Sequence, residues 1–197
     1  MHLLRHLVIF AGSYLFCSSL WACTCAGTTT FLQNMQRAPL VVEGQVTAPP
    51  GPVTKGKSVS LLTVTELTVQ KVLKGKLAEA SITLTDPNMC YASISSRELQ
   101  AGETYILALY GRPSIEGSIA REVLSPQERQ TLDQSFNLSL CAETALLRKG
   151  NQVFTFQRAK VSDYKPEPQP YGSYDDLLQQ VEAAKTVPPK RPGKPNR

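Results

Sequence analysis

The chain has 197 residues and a formal net charge of +5, a length that suits one domain once an N-terminal leader is set aside. A charge this modest supports weak attraction to polyanions at most. Its two histidines, His2 and His6, both lie in the leader, so the chain beyond it has none. That excludes Ser-His or Cys-His nucleophilic catalysis and any His-ligated metal site there.

Residues 1–22 read as a secretory signal. His2, Arg5 and His6 give a basic, polar start, Leu7 to Phe16 is a short apolar region, and Ala22 is a small residue at the cut. The apolar run is too short for a spanning helix, which needs about 20 residues. Cleavage after Ala22 predicts a mature chain beginning Cys23-Thr24-Cys25, with a free α-amine beside a thiol. The leader carries Arg5 and no acid, so 20 basic against 16 acidic residues leave +4.

Cys17 departs with the leader and leaves Cys23, Cys25, Cys90 and Cys141. An even count in an exported chain implies two disulfides. A Cys23–Cys25 bridge would close a very small, strained ring. Each remaining pairing ties the N-terminus to distant chain, through a loop of roughly 65 residues or more, worth about 4 kcal/mol in the chain-entropy model. Zinc binding by the four thiols is the rival reading, which an oxidising compartment disfavours.

Phe31 to Arg37 is expected to form two helical turns ended by Pro39, after a small polar loop over Ala26 to Thr30. Strands are expected over Leu40–Thr47, where Gly44 suggests a bulge or tight coil, and over the long alternating Ser58–Leu73, which should bend or break once. Lys74-Gly75-Lys76 is the turn after it, and Ser81–Thr85 the third strand. Asp86 to Ser96 is a loop around Cys90, and the apolar Thr104–Tyr110 should be central to the sheet. Ser125-Pro126-Gln127-Glu128 is a capping box opening a helix to about Gln134. Asn137–Cys141 reads as a fifth strand, and Thr144–Arg148 with Gln152–Gln157 as a hairpin around Lys149-Gly150-Asn151.

Residues 161–172, with Pro166, Pro168 and Pro170, read as a Pro-rich linker. Ser173 then caps an amphipathic helix over 173–186, with Leu177, Leu178 and Val181 on one face. Residues 187–197 read as a disordered basic tail. The fold expected is mainly β: an OB-fold-like five-stranded barrel over residues 23–160 with flanking helices and a disulfide-tethered N-terminus.

The residues resemble a family, the netrin-like module, and within it the inhibitory N-terminal domain of the tissue inhibitors of metalloproteinases. Cys23-Thr24-Cys25 matches that family's Cys-(Thr or Ser)-Cys start, and Leu40 to Val46 sits where it has its first strand. Thr65 to Gly75 resembles its second strand and Lys-Gly turn, and Gly102-Glu103-Thr104-Tyr105-Ile106-Leu107 its Gly-x-x-Tyr-(Leu/Ile) strand. Cys90 and Cys141 follow in order. The sequence departs from the family in holding Met35 where a third cysteine pair would begin, in lacking the cysteine-rich second domain, and in an apparent insertion over 111–136.

The resemblance implies disulfides Cys23–Cys90 and Cys25–Cys141, and it implies no catalysis and no intrinsic metal or cofactor. The implied partner is a zinc metalloprotease, whose zinc has three protein ligands and one open position. The α-amine and carbonyl oxygen of Cys23 would fill that position, Thr24 would enter the adjacent pocket, and Asn88, Met89 and Tyr91 beside Cys90 would form the second edge of the wedge. A free α-amine titrates near pH 7.7–8.0, so a sizeable neutral fraction can bind metal at neutral pH.

The implied protein is a secreted or periplasmic monomer. The alternative is a netrin-like interaction module without protease inhibition. Leu20-Trp21-Ala22-Cys23 satisfies a loose lipobox, with Trp21 a poor fit, and would make the protein a lipid-anchored envelope or outer-membrane protein. Lipidation would consume the Cys23 amine and thiol, so a membrane association of that kind and chelation exclude each other. A nucleic-acid partner is not expected, because aromatics interleaved with basic residues are not evident.

Overall fold

The computed structural model describes residues 29–53, 62–85, 94–111, 124–138, 142–157 and 167–186. The described chain is mainly β, with eight strands joined in one antiparallel sheet and three α-helices. The strands are β1 (Leu40–Val46), β2 (Gly51–Pro52), β3 (Thr63–Lys74), β4 (Ser81–Thr85), β5 (Thr104–Leu109), β6 (Ala145–Lys149), β7 (Gln152–Gln157) and β8 (Glu167–Ser173). The helices are α1 (Phe31–Arg37), α2 (Pro126–Gln134) and α3 (Tyr174–Thr186). In space the order is β2-β3-β1-β5-β6-β7-β8, with β4 also paired to β3. β1 is central, bonded to β3 on one side and to β5 on the other.

Alternation along the central strands buries both faces of the sheet, because successive side chains point to opposite sides. Leu40, Val42 and Val46 of β1, Tyr105, Leu107 and Leu109 of β5, and Ala145 and Leu147 of β6 join an inner core with Leu67, Leu84, Ile94 and Leu138. The intervening Val41, Ile106, Ala108 and Leu146 form a second core on the other face, where Phe31 and Met35 of α1 and Leu177 and Val181 of α3 cover them. A smaller cluster packs Leu132 of α2 and Leu124 against Leu62.

The long strand, expected over Ser58–Leu73 with one bend or break, runs over Thr63–Lys74 with two bulges, and residues 58–61 lie outside the described residues. The β1–β3 register shifts twice, between Val41 and Val42 and between Glu43 and Gly44, each time giving β3 an extra residue. These bulges turn the strand, so that Leu67 faces the inner core while Leu73 faces the second. Gly44 is buried at one bulge, where a Cβ would lie 3.1 Å from the Thr68 carbonyl oxygen.

Three expectations change. The sheet has eight strands, not five, and among the described residues it does not close on itself. Of the strand expected at Asn137–Cys141, Asn137 makes an isolated bridge to Tyr110, Phe136 just before it bridges to Leu84, and residues 139–141 lie outside the described residues. The linker expected over 161–172 is in part a strand: Glu167–Ser173 pairs antiparallel with β7. Proline is compatible because β8 is an edge strand, and Pro168 and Pro170, two residues apart, turn their donor-less nitrogens to the same side.

The β8 strand delivers α3 directly to the second core. Ser173 caps that helix by accepting the Asp176 amide at 3.1 Å, and the Tyr174 amide donates to the Asn151 carbonyl in the β6–β7 turn at 2.8 Å. The C-terminal helix is therefore part of the domain. Among the described residues no helix is long and apolar enough to cross a membrane.

Candidate functional site

Cys23, Thr24, Cys25, Asn88, Met89, Cys90, Tyr91 and Cys141, together with the leader and the basic tail, lie outside the described residues. The chain is described from Thr29 onward after Cys25, and on both sides of Cys90 and of Cys141. Thr29 makes a parallel bridge to Ala142, the residue after Cys141, and Cys25 lies four residues before Thr29. Thr85, the last described residue before the segment with Cys90, is bonded to the same stretch of chain: its amide donates to the Phe136 carbonyl at 3.0 Å and its hydroxyl is 2.7 Å from that of Ser135. Phe136 and Ala142 are six residues apart, a span of at most about 20 Å. Thr29 and Thr85, the described residues that precede or follow the segments with Cys25 and Cys90, are thus both bonded to the chain that flanks Cys141.

The base of the N-terminal segment is tightly held. Thr30 and Gln33 form a reciprocal capping box at the start of α1. Glu143 adds four bonds: its amide donates to the Thr29 carbonyl at 3.0 Å, and its carbonyl accepts from Asn34 Nδ2 at 3.0 Å. Its carboxylate accepts the Phe31 amide at 2.9 Å and the Thr155 hydroxyl at 2.8 Å. Asn34 is buried and also accepts from the Tyr110 hydroxyl. Burial pushes the Tyr110 and Tyr171 hydroxyls above the ordinary tyrosine range, partly offset for Tyr110 by Arg37 and reinforced for Tyr171 by the charge of Glu143.

The other end of α1 is held by a cation. Lys74 Nζ donates to the carbonyls of Met35, Gln36 and Ala38 at 2.9, 2.8 and 2.8 Å, the arrangement that a helix C-terminus favours. Burial lowers its pKa from the ordinary lysine value. The following Gly75 has φ +85°, and a Cβ there would sit 2.4 Å from the Pro39 carbonyl oxygen, so only glycine fits the turn.

A second polar cluster lies beneath α3. Glu43, 2% exposed in the middle of β1, pairs with Arg148 of β6 and accepts the Tyr174 hydroxyl. The Arg148 guanidinium stacks 3.8 Å from the Tyr174 ring centroid. Burial first, then the Glu43 hydrogen bond and charge, raise the Tyr174 pKa to about 12 against the pull of Arg148. Every member has a partner, and the cluster joins three elements distant in sequence.

Sequence reasoning missed both clusters. A signal existed for Glu43, the one charge in the apolar run Leu-Val-Val-Glu-Gly-Gln-Val. None existed for Glu143, whose amide partner Phe31 is 112 residues away. Among the described residues no group of three or more His, Cys, Asp or Glu could hold a metal ion. No protein-family model matches the chain, and no curated protein does.

Proposed function

We propose that this chain is a secreted, netrin-like inhibitor of zinc metalloproteases, acting through the amine and carbonyl of Cys23 once the leader is removed. One observation carries the reading. Thr29 is bridged to Ala142 and Thr85 is bonded to Phe136, so one described end of the segment with Cys23 and Cys25 and one of the segment with Cys90 are both held beside the chain that flanks Cys141. A wedge made of the N-terminus and the segment with Asn88, Met89 and Tyr91 requires that proximity, and so do the pairings Cys23–Cys90 and Cys25–Cys141.

The rigid base agrees with the role. An inhibitor that is already ordered loses less conformational freedom on binding, which favours affinity. The strand order β4-β3-β1-β5-β6 also suits an OB-type barrel opened at its β4–β6 seam. Phe136 touches β4 and Asn137 the end of β5, which would lay the 136–137 segment across that seam.

The test compares two forms of the mature protein, one beginning at Cys23 and one with an added N-terminal alanine, against a panel of zinc metalloprotease catalytic domains. Inhibition by the first and its loss in the second is the expected result. Equal inhibition by both would refute chelation. The intact mass of the protein from its source is the companion measurement, because a lipid adduct on Cys23 would select the anchored interaction module instead.

A further inference from the structure

We infer that Glu143 is a positioning residue, fixing residues 29–34, from which the N-terminal segment extends, against the sheet; as a determinant of inhibition this rests on the function proposed above. Glu143 fastens residues 29 to 34 at three points: Thr29 through its amide, Phe31 through its carboxylate and Asn34 through its carbonyl, the Tyr110 hydroxyl holding Asn34 as well. The two backbone contacts come with the chain path beside the Thr29–Ala142 bridge. The side-chain contact depends on residue type.

The carboxylate could not choose its own direction, because its second oxygen is held by the Thr155 hydroxyl on β7, itself 5% exposed. Glu143 therefore ties the first turn of α1 to a strand in the body of the sheet. A charged acceptor bonded to a backbone amide is among the stronger hydrogen bonds. The segment beyond it, residues 23–28, carries the proposed chelating atoms only a few residues from these contacts, so the hold on Thr29 and Phe31 bears on their alignment together with the proposed bridges. A displacement near 1 Å is enough to cost about 100-fold where reacting atoms must be aligned.

Glu143→Ala and Glu143→Gln in the mature, oxidised protein test this. Glutamine keeps an acceptor for the Phe31 amide and can face Thr155 with its amide group, so it should inhibit within roughly threefold of the parent, whereas alanine should weaken inhibition about 10-fold to 100-fold. Amide hydrogen exchange supplies a readout free of any protease. In Glu143→Ala the amides of residues 29–34 should exchange faster, while those of β1 and β5 keep their protection.

Uniform exchange changes, or none, would overturn the inference. So would a parent that inhibits beside an alanine variant that inhibits equally well. A parent that inhibits no protease while the exchange pattern appears as expected would remove the proposed function and leave the positioning role standing.

Discussion

Glu43 is a charge placed where the alternation of β1 calls for a hydrophobic side chain, and its neighbours explain how it is tolerated. Arg148 neutralises it, the Tyr174 hydroxyl satisfies its second oxygen, and the guanidinium is covered by the Tyr174 ring. Removing one member of such a buried set leaves the others unpaired, which costs more than the set itself contributes. Arg148→Met should therefore lower stability by about 3 kcal/mol. The double variant Glu43→Leu/Arg148→Met should lose clearly less than the two single changes added together, as chemical denaturation of all four proteins would show.

Tyr174 makes a separate statement about pH. Its folded pKa of about 12 exceeds that of a free tyrosine, near 10, so the folded state holds its proton after the unfolded state has released it. The stability it contributes is complete below pH 10 and is lost as pH rises from there through about 12. Denaturation midpoints between pH 9 and 11 should fall less steeply in Tyr174→Phe than in the parent. A residual slope is expected in the variant, because Tyr105, Tyr110 and Tyr171 are also raised by burial.

The unit of β8 and α3 shows how a local reading and a tertiary one part company. Three prolines in a short run mark a linker by composition, and nothing within the run reveals that β7 offers it an edge. Elements whose local pattern already agrees with the fold were legible: α1, α2 with its capping box, β4, and the β6–β7 hairpin all fall within a residue of expectation. The cysteines proposed for the site are read from residue type and order alone, and they lie outside the described residues. The anchoring of α1 was not legible, because Glu143 and Lys74 act on that helix from positions 38 to 112 residues away, and such pairings leave no local trace. If α3 is integral to the domain, Leu177→Ala should cost about 2–5 kcal/mol, the range for a buried leucine truncated to alanine. A change below about 0.5 kcal/mol in a thermal or urea melt, ordinary for surface positions, would restore the view of an appended helix.

Both helices that flank the described chain, α1 near its start and α3 at its end, close the same face of the sheet, so α1 rests on a core that, among the described residues, holds no disulfide. Small exported domains with little core depend on their bridges, often losing the fold when these are cut. Here two apolar clusters on opposite faces of one sheet supply the core, and the bridges proposed for Cys23, Cys25, Cys90 and Cys141 would act with Glu143 in ordering the wedge. Stability and inhibition should then separate. Reduction of the mature protein should cost about 2–5 kcal/mol and abolish inhibition while the strand signal in far-ultraviolet circular dichroism persists at 25 °C. Leu177→Ala should do the reverse, losing comparable stability but inhibiting normally well below its melting temperature. Melts and inhibition titrations on the two proteins side by side decide the matter: a reduced protein that still inhibits would detach the function from an ordered N-terminus, and one that unfolds outright would make the bridges part of the core's own stability.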